Sequence, residues 1–206
     1  MVDIQTDDSG FKWLQKELAE LDRYSIEIGI FGDDDSFYAM IANVHEFGMA
    51  IHAKNGKYLT IPTKEAGGRK ASEIPGLFRP KGKDVLAVAD KSAENGIKVM
   101  FILKESVDIP ERSFVRSTFD EKNDEWMDFL ERQIEKLCDL EIDAQTVFNR
   151  LGAKIAGDIQ EKIRDIRTPK NSPITVQNKG SDNPLIDTGG LRNHVTWKLV
   201  RDDELV

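Results

Sequence analysis

The 206-residue sequence has little of what would indicate a disulfide framework, a membrane span or a histidine-rich catalytic centre. It contains one cysteine, Cys138, and three histidines, so no internal disulfide can form. We expect Cys138 to be a small, buried, apolar residue of a helix. No apolar run approaches the roughly 20 residues that cross a bilayer, and the N-terminus lacks the basic-then-apolar order of a signal peptide. These absences predict a globular protein that stays in the cytoplasm where it is made.

Charge is distributed unevenly along a chain whose net charge is -8. Between His52 and Lys83, eight basic residues stand against two acidic ones, so this stretch carries +6 and the rest carries -14. Because the stretch is also rich in Gly and Pro, we predict a basic, irregular excursion over 49–83 that projects from the surface. It is either simply solvated or a contact surface for nucleic acid or an acidic neighbouring subunit. Its candidate contact residues are Lys54, Lys57, Lys64, Arg69, Lys70, Arg79, Lys81 and Lys83.

The first half of the chain alternates between helical and strand-like patterns. Apolar residues from Phe11 to Leu21 recur at helical spacing behind Ser9, a predicted N-cap. A second short helix runs from Phe37 to Phe47, where Gly48 is placed to end it in a left-handed conformation. Strands are predicted at 24–31, 57–62, 85–89 and 97–103, the last two joined by a turn at Asn95-Gly96. The middle of the chain is therefore expected to form an antiparallel sheet.

The second half predicts two long helices and a closing strand. Pro110 suits the first turn of a helix that continues to about Leu140, and Asp143 is a predicted N-cap for a second helix that ends near Ile166. Gly152 and Gly157 in this second helix indicate either that another backbone approaches closely or that the helix simply tolerates glycine at these positions. A polar loop is predicted at 168–184 and a strand at 191–200. The fold class is α+β, with an antiparallel or mixed β-sheet packed against short N-terminal helices and two long helices, in a single domain over 1–206.

Motifs for catalysis are incomplete. His45-Glu46 resembles the start of the zinc-protease HExxH motif, but the second histidine position holds Met49. Asp33, Asp34 and Asp35 are consecutive and lack the alternate spacing of a calcium loop, so we expect a solvated turn. No catalytic, cofactor-binding or metal-ligating residue is predicted, and an enzyme is disfavoured. The alternative of a metal-dependent hydrolase would require acidic and histidine side chains to converge in one pocket.

Three blocks of sequence carry a resemblance to a known family. Block 1 combines Ile28-Gly29-Ile30-Phe31, Tyr38-Ala39 and Val44-His45-Glu46-Phe47-Gly48; block 2 is Ile109-Pro110-Glu111-Arg112-Ser113-Phe114-Val115-Arg116; block 3 is Pro184-Leu185-Ile186-Asp187-Thr188-Gly189-Gly190-Leu191-Arg192-Asn193. In this order they resemble the tail-completion, or head-tail joining, proteins of tailed bacteriophages, also called phage virion morphogenesis proteins. The blocks cover about a quarter of the residues and span nearly the whole chain. None of them is an active-site signature.

The resemblance implies a structural virion protein. It would form a homo-oligomeric ring, expected to be a hexamer, at the head-tail junction, with the tail tube protein and the head-closure or connector protein as partners. It would be found in the host cytoplasm during assembly and then in the neck of the virion. Alternatives are a head-closure adaptor or a minor tail protein.

The basic excursion is expected to contact an adjacent subunit or ring, with channel DNA as the second candidate. Arg112 and Arg116, one helical turn apart, are expected to reach a shared acidic partner, and 33–35 and the acidic helix after Phe119 are candidate complementary surfaces. Deleting 67–80 is expected to leave a folded subunit that no longer joins heads to tails.

Overall fold

The computed structural model of the chain describes residues 8–201. It confirms the α+β fold class, with helices beside small antiparallel sheets. The elements in chain order are α1 Ser9–Leu21, β1 Tyr24–Gly29, α2 Ser36–Phe47, β2 Met49–His52, β3 Leu59–Pro62, β4 Val85–Ala89, β5 Ile97–Lys104, β6 Ser106–Ile109, α3 Val115–Cys138, α4 Ala144–Asp165, α5 Pro173–Lys179, α6 Gly190–Asn193 and β7 Thr196–Arg201.

The strands fall into three antiparallel sheets. β1 pairs with β7, so that Ile28 lies opposite Trp197. β2 pairs with β6, which sets Met49 opposite Ile109. The largest sheet has the order β3-β5-β4, as expected for the middle of the chain. Two of the strands, β2 and β6, have four residues each and were not predicted.

The described chain forms two compact units, and the prediction of a single domain over 1–206 stays a prediction. Unit 1 consists of residues 8–42, 113–166 and 188–201. In it, α4 packs against α3, β1 and β7. The N terminus of α4 is capped as predicted, because the Asp143 carboxylate accepts a hydrogen bond from Thr146 N at 2.8 Å. The stripe that α4 buries is Ala144, Val147, Leu151, Gly152, Ile155, Ala156, Ile159 and Ile163.

Unit 2 consists of residues 43–112 and 167–187. Its core cluster is Ala66, Ile74, Met100 and Phe101, drawn from two short 3-10 turns and β5. The 3-10 turns are Lys64–Ala66 and Ala71–Glu73. Thr63 fixes this segment to the sheet, since its N–H and hydroxyl both donate to the Met100 carbonyl.

The basic excursion is therefore more ordered than predicted. Residues 49–83 contain β2, β3 and both 3-10 turns, and Ile74 belongs to the core of unit 2. The expectation that the subunit stays folded without 67–80 stays a prediction, and the deletion would remove the buried Ile74 side chain and the Phe78 bridge to Ala87.

The first long helix begins later than predicted. α3 starts at Val115, so Pro110 and Glu111 lie before the helix and not in its first turn. The reason is the pairing of β6 with β2, which keeps the chain extended as far as Ile109. The proposed spacing of Arg112 and Arg116 by one helical turn is wrong for the same reason.

Three local predictions are corrected. The polar loop at 168–184 contains α5, which begins with Pro173. Ser172 caps this helix, because its hydroxyl oxygen accepts a hydrogen bond from the Thr175 N–H. Cys138 is exposed, since it is the last residue of α3 and faces away from the core. The closing strand begins at Thr196, because the chain first forms the short helix α6.

Candidate functional site

In unit 2, the end of block 1 contacts the start of block 2. Gly48 has a φ of 70°, as predicted for a residue that ends α2. A Cβ at this position would lie 2.9 Å from Glu111 N and 3.1 Å from the Ile109 carbonyl oxygen. Beside it, Arg112 N donates a hydrogen bond of 2.7 Å to the His45 carbonyl. Only glycine combines this positive φ with this close backbone approach.

The Arg112 side chain lies at the centre of a polar cluster in unit 2 and is 5% exposed. Its Nε donates to the Pro169 carbonyl at 2.7 Å, and Nη2 donates to the Lys170 carbonyl at 3.2 Å and to Asn171 Oδ1 at 3.4 Å. The guanidinium therefore fixes the chain after α4 to block 2. Arg112, predicted as a contact residue for a partner, is instead buried in its own subunit.

Histidine and lysine complete this cluster. His45 Nδ1 lies 3.4 Å from Arg112 Nη1, and burial, with Arg112 and Lys179 nearby, lowers the pKa of His45 to about 4. His45 is therefore neutral near pH 7. Lys179 Nζ donates to the Asn183 carbonyl at 2.7 Å, and burial lowers the pKa of this amine too. Because several cationic N–H groups already donate to backbone carbonyls, the cluster stabilises loops and does not resemble an anion-binding site.

In unit 1, blocks 1 and 3 contact each other through an aromatic side chain. The Tyr38 ring stacks on the His194 ring with centroids 4.1 Å apart, and its hydroxyl occupies the space that a Cβ on Gly190 would fill. His194 Nδ1 donates to the Gly190 carbonyl at 2.8 Å. Gly190 is thus needed for close approach, and a larger residue would displace Tyr38.

The aspartate turn before α2 has a structural role. Asp35 accepts hydrogen bonds from the N–H groups of Phe37 and Tyr38 at 2.9 and 3.1 Å, and Asp34 pairs with Lys198 at 3.1 Å. Across residues 8–201, no group of three or more His, Cys, Asp or Glu side chains is arranged to hold a metal ion. Within the same range, no helix combines the length and hydropathy of a membrane span.

A shallow, polar pocket of about 380 Å³ lies in unit 1 between α4 and α6. It is lined by Gly157, Gln160, Glu161, Arg164, Arg192 and Asn193. Arg164 is paired with Glu161 at 2.7 Å, and Arg192 donates to Asn193 Oδ1. None of the six lining side chains is a nucleophile or a histidine, so the pocket offers no group for acyl transfer chemistry.

The eight predicted basic contact residues between Lys54 and Lys83 are all exposed, unlike Arg112. Arg79 pairs with Asp84 at 2.6 Å, and Lys57 pairs with Glu105 at 3.0 Å. Arg69 donates instead to the Ala66 carbonyl at 3.0 Å. No ion pair forms within residues 8–201 at the lysines Lys54, Lys64, Lys70, Lys81 and Lys83. Arg116 is exposed on α3 in unit 1.

The three-stranded sheet separates these residues into two groups. Lys64, Arg69 and Lys70 follow Pro62, the last residue of β3. The others are near the opposite end of the sheet, where Tyr58 precedes β3 and Lys83 precedes β4. There, Arg79 Cζ lies 4.8 Å from the Tyr58 ring centroid and Lys57 Nζ 5.2 Å from it. Both cations also lower the pKa of the Tyr58 hydroxyl.

Sequence reasoning missed the pairing partners inside both contact sites. The contact between Tyr38 of block 1 and Gly190 of block 3 is not predicted from the sequence. Arg112 is predicted to face a partner, and its hydrogen bonds to 169–171 are not. The sequence signal for this contact is the Gly189-Gly190 pair. Gly189 takes a φ of 86° just before α6, and Gly190 is the first residue of that helix.

No family model, curated protein or solved structure matches this chain.

Proposed function

We propose that this chain is a tail-completion protein of a tailed bacteriophage. It forms a ring at the head-tail junction, ends the tail tube and offers the surface on which the filled head docks. Such a ring closes through heterologous contacts, in which one patch of a subunit meets a different patch of the next. The resemblance carried by blocks 1, 2 and 3 is the origin of the proposal.

The observation that carries the proposal is that the blocks contact one another. Block 1 meets block 2 where Gly48 packs on Ile109 and Glu111. Block 1 also meets block 3 where Tyr38 packs on Gly190. In each unit, the glycine with the closest neighbouring atom belongs to a block: Gly190 in unit 1 and Gly48 in unit 2. Chance similarity in three separate segments gives no reason for such contacts, whereas a shared fold does, and this supports membership of the family.

The test is a nonsense mutation in the copy of this gene carried by the phage, followed by electron microscopy of the particles. We expect filled heads beside separate tails of irregular length, and few infectious particles. Joined, infectious particles in normal yield would overturn the proposal. Tails of normal length beside heads that lose their DNA would indicate the head-closure adaptor instead.

Complementation from a plasmid sharpens the test. The wild-type chain should restore joined particles, and so should Gly157→Ala, because a Cβ at that position meets nothing within 4 Å. Gly190→Val should fail, because its side chain would overlap Tyr38. If Gly190→Val restores joining as well as Gly157→Ala does, the contact between blocks 1 and 3 is not required for the function.

A further inference from the structure

A patch around Tyr58 in unit 2 combines unpaired positive charge with exposed apolar surface. The turn from Arg79 to Lys83 is closed by a hydrogen bond of 3.0 Å from Arg79 Nε to the Lys83 carbonyl, and Arg79 Nη2 lies 3.4 Å from the Tyr58 hydroxyl. Phe78, directly before this turn, is 42% exposed. We call this surface the Tyr58 patch, and its members are Lys57, Tyr58, Phe78, Arg79, Lys81, Lys83 and Lys104.

The Tyr58 patch keeps an excess of positive charge after its internal ion pairs are counted. Asp84 and Glu105 neutralise Arg79 and Lys57. Lys81, Lys83 and Lys104 are exposed, and no carboxylate within residues 8–201 lies at ion-pair distance from them. Tyr58 and Phe78 supply apolar surface beside these cations. An apolar centre with a charged rim is the usual anatomy of a protein interface.

An acidic surface lies along α3 in unit 1. Five exposed carboxylates recur at steps of three and four residues and therefore share one helix face. The stripe spans about 22 Å at 1.5 Å per residue. Met127, at its side, is 43% exposed. The members of this α3 stripe are Asp120, Asp124, Asp128, Glu131 and Glu135.

The carboxylates of the α3 stripe are not used within the subunit. The neighbouring acids Glu121 and Glu125 pair with Lys162 and with Lys122 and Lys154. None of the five stripe members forms an ion pair within the described part of the chain. A row of like charges on one helix face destabilises the helix slightly. Cations of a partner that face this row would offset the repulsion between the carboxylates.

These two surfaces favour a second copy of the chain over nucleic acid as the occupant of the Tyr58 patch. The chain has a net charge of -8, which repels a polyanion. Charge complementarity steers association and fixes which surfaces meet. The α3 stripe supplies the carboxylates that the patch lacks, and every copy carries both surfaces.

We infer that the Tyr58 patch of one copy binds the α3 stripe of the next. The contact is heterologous, so it leaves one free patch and one free stripe on every open chain of subunits and can close into a ring. This inference deepens the proposed function by naming the two surfaces through which copies associate.

The test is sedimentation velocity of the purified full chain at about 20 mM and about 500 mM salt, because screening at high salt weakens exposed ion pairs. We expect the wild type to form oligomers at low salt and to dissociate at high salt. Lys81→Glu with Lys83→Glu should raise the apparent dissociation constant by about tenfold or more, and so should Asp124→Lys with Asp128→Lys. The chain with all four substitutions should regain part of the association, because the two substituted positions of the patch and the two of the stripe again carry opposite charges.

A matched control comes from the other end of the same sheet. Lys64→Glu with Lys70→Glu changes the net charge by the same amount as the patch variant and alters two exposed lysines that also form no ion pair. It should associate as the wild type does. None of the substituted side chains donates or accepts a hydrogen bond within residues 8–201, so each variant should fold, and circular dichroism checks this.

Several outcomes would overturn the inference. They are a wild type that stays monomeric at low salt, equal losses in the patch and control variants, and a four-substituted chain that does not regain association. Retained self-association together with loss of binding to a short DNA duplex in the patch variant would assign the patch to DNA. Because the readout is the mass of the free protein, the inference can fail while the phage experiment still supports the proposed function.

Discussion

In unit 1 one long helix supplies the largest set of buried positions, whereas in unit 2 the buried surface is assembled from short strands, 3-10 turns and a buried arginine. α4 contributes eight buried positions at regular helical spacing, so apolar burial dominates the stability of unit 1. Unit 2 depends more on polar contacts, because Arg112 joins three carbonyl or amide oxygens from 169–171. The comparison shows that packing of apolar side chains stabilises unit 1, whereas hydrogen bonds with fixed directions contribute more visibly to unit 2.

The largest effect should come from removing the buried guanidinium. Arg112→Met fills similar volume but leaves the carbonyls of Pro169 and Lys170 without their donor. We expect a loss of about 3 kcal/mol in the free energy of unfolding, which is typical of a buried polar network that loses its charged member. Urea unfolding measures the loss, and hydrogen exchange should place it in unit 2.

Arg69→Met is the matched control for this substitution. Arg69 also donates from Nε to a backbone carbonyl in unit 2, but its side chain is exposed. Its loss should change the free energy by less than about 0.5 kcal/mol. Equal effects of the two variants would mean that burial of Arg112 adds nothing.

An intermediate effect is expected in unit 1, where packing can be disturbed at one glycine and not at another. A Cβ at Gly152 would lie 2.6 Å from Trp197 Cγ, whereas a Cβ at Gly157 meets nothing within 4 Å. Gly152→Ala should therefore destabilise unit 1 by about 2 kcal/mol through overpacking. Gly157→Ala should stabilise it by up to about 1 kcal/mol, the difference in helix propensity.

Thermal unfolding of both variants, followed by circular dichroism, checks this pair. If Gly152→Ala is as stable as Gly157→Ala, the indole ring can shift without cost. The contact would then not explain why glycine occupies position 152.

Near neutral pH, the smallest effect should be the pH dependence that His45 gives to unit 2. The pKa of His45 is lowered from 6.5 to about 4 in the folded chain. Between these values the unfolded chain binds a proton that the folded chain does not, so stability falls as the pH is lowered from about 6.5 towards 4. Urea midpoints measured across this window should decrease more steeply for the wild type than for His45→Gln.

His52→Gln is the control, since the His52 side chain is exposed on β2. It should keep the pH dependence of the wild type. The same dependence in His45→Gln and in the wild type would show that groups other than His45 cause it.

The same contrast between units explains how far the fold could be predicted. The α4 stripe and the Asp143 cap were predicted because helical periodicity over 22 residues is a strong signal. β2 and β6 were missed because four residues offer only two alternations, and neither strand is recognisable without its partner. α5 was missed although Ser172 and Pro173 form a standard helix start. Its seven residues were read as part of a proline-rich loop.

For the candidate sites, residue types were predicted better than contacts. The eight basic residues predicted between Lys54 and Lys83 are exposed, as a contact surface requires, but sequence could not separate Lys81 from Arg79, which an ion pair neutralises. Arg112 was misassigned because it was placed on the long helix, one turn from Arg116, whereas α3 begins only at Val115. Its burial depends on carbonyls more than fifty residues away in the chain. Long-range hydrogen bonds of this kind leave no local pattern.

Because Cys138 is exposed, it offers a way to count the copies of this chain in an assembly. It is the only cysteine, and it lies at the last turn of α3 with its side chain open to solvent. A maleimide dye would therefore attach once per subunit without any engineered substitution. The number of photobleaching steps in a single labelled particle would then equal the number of copies in the assembly.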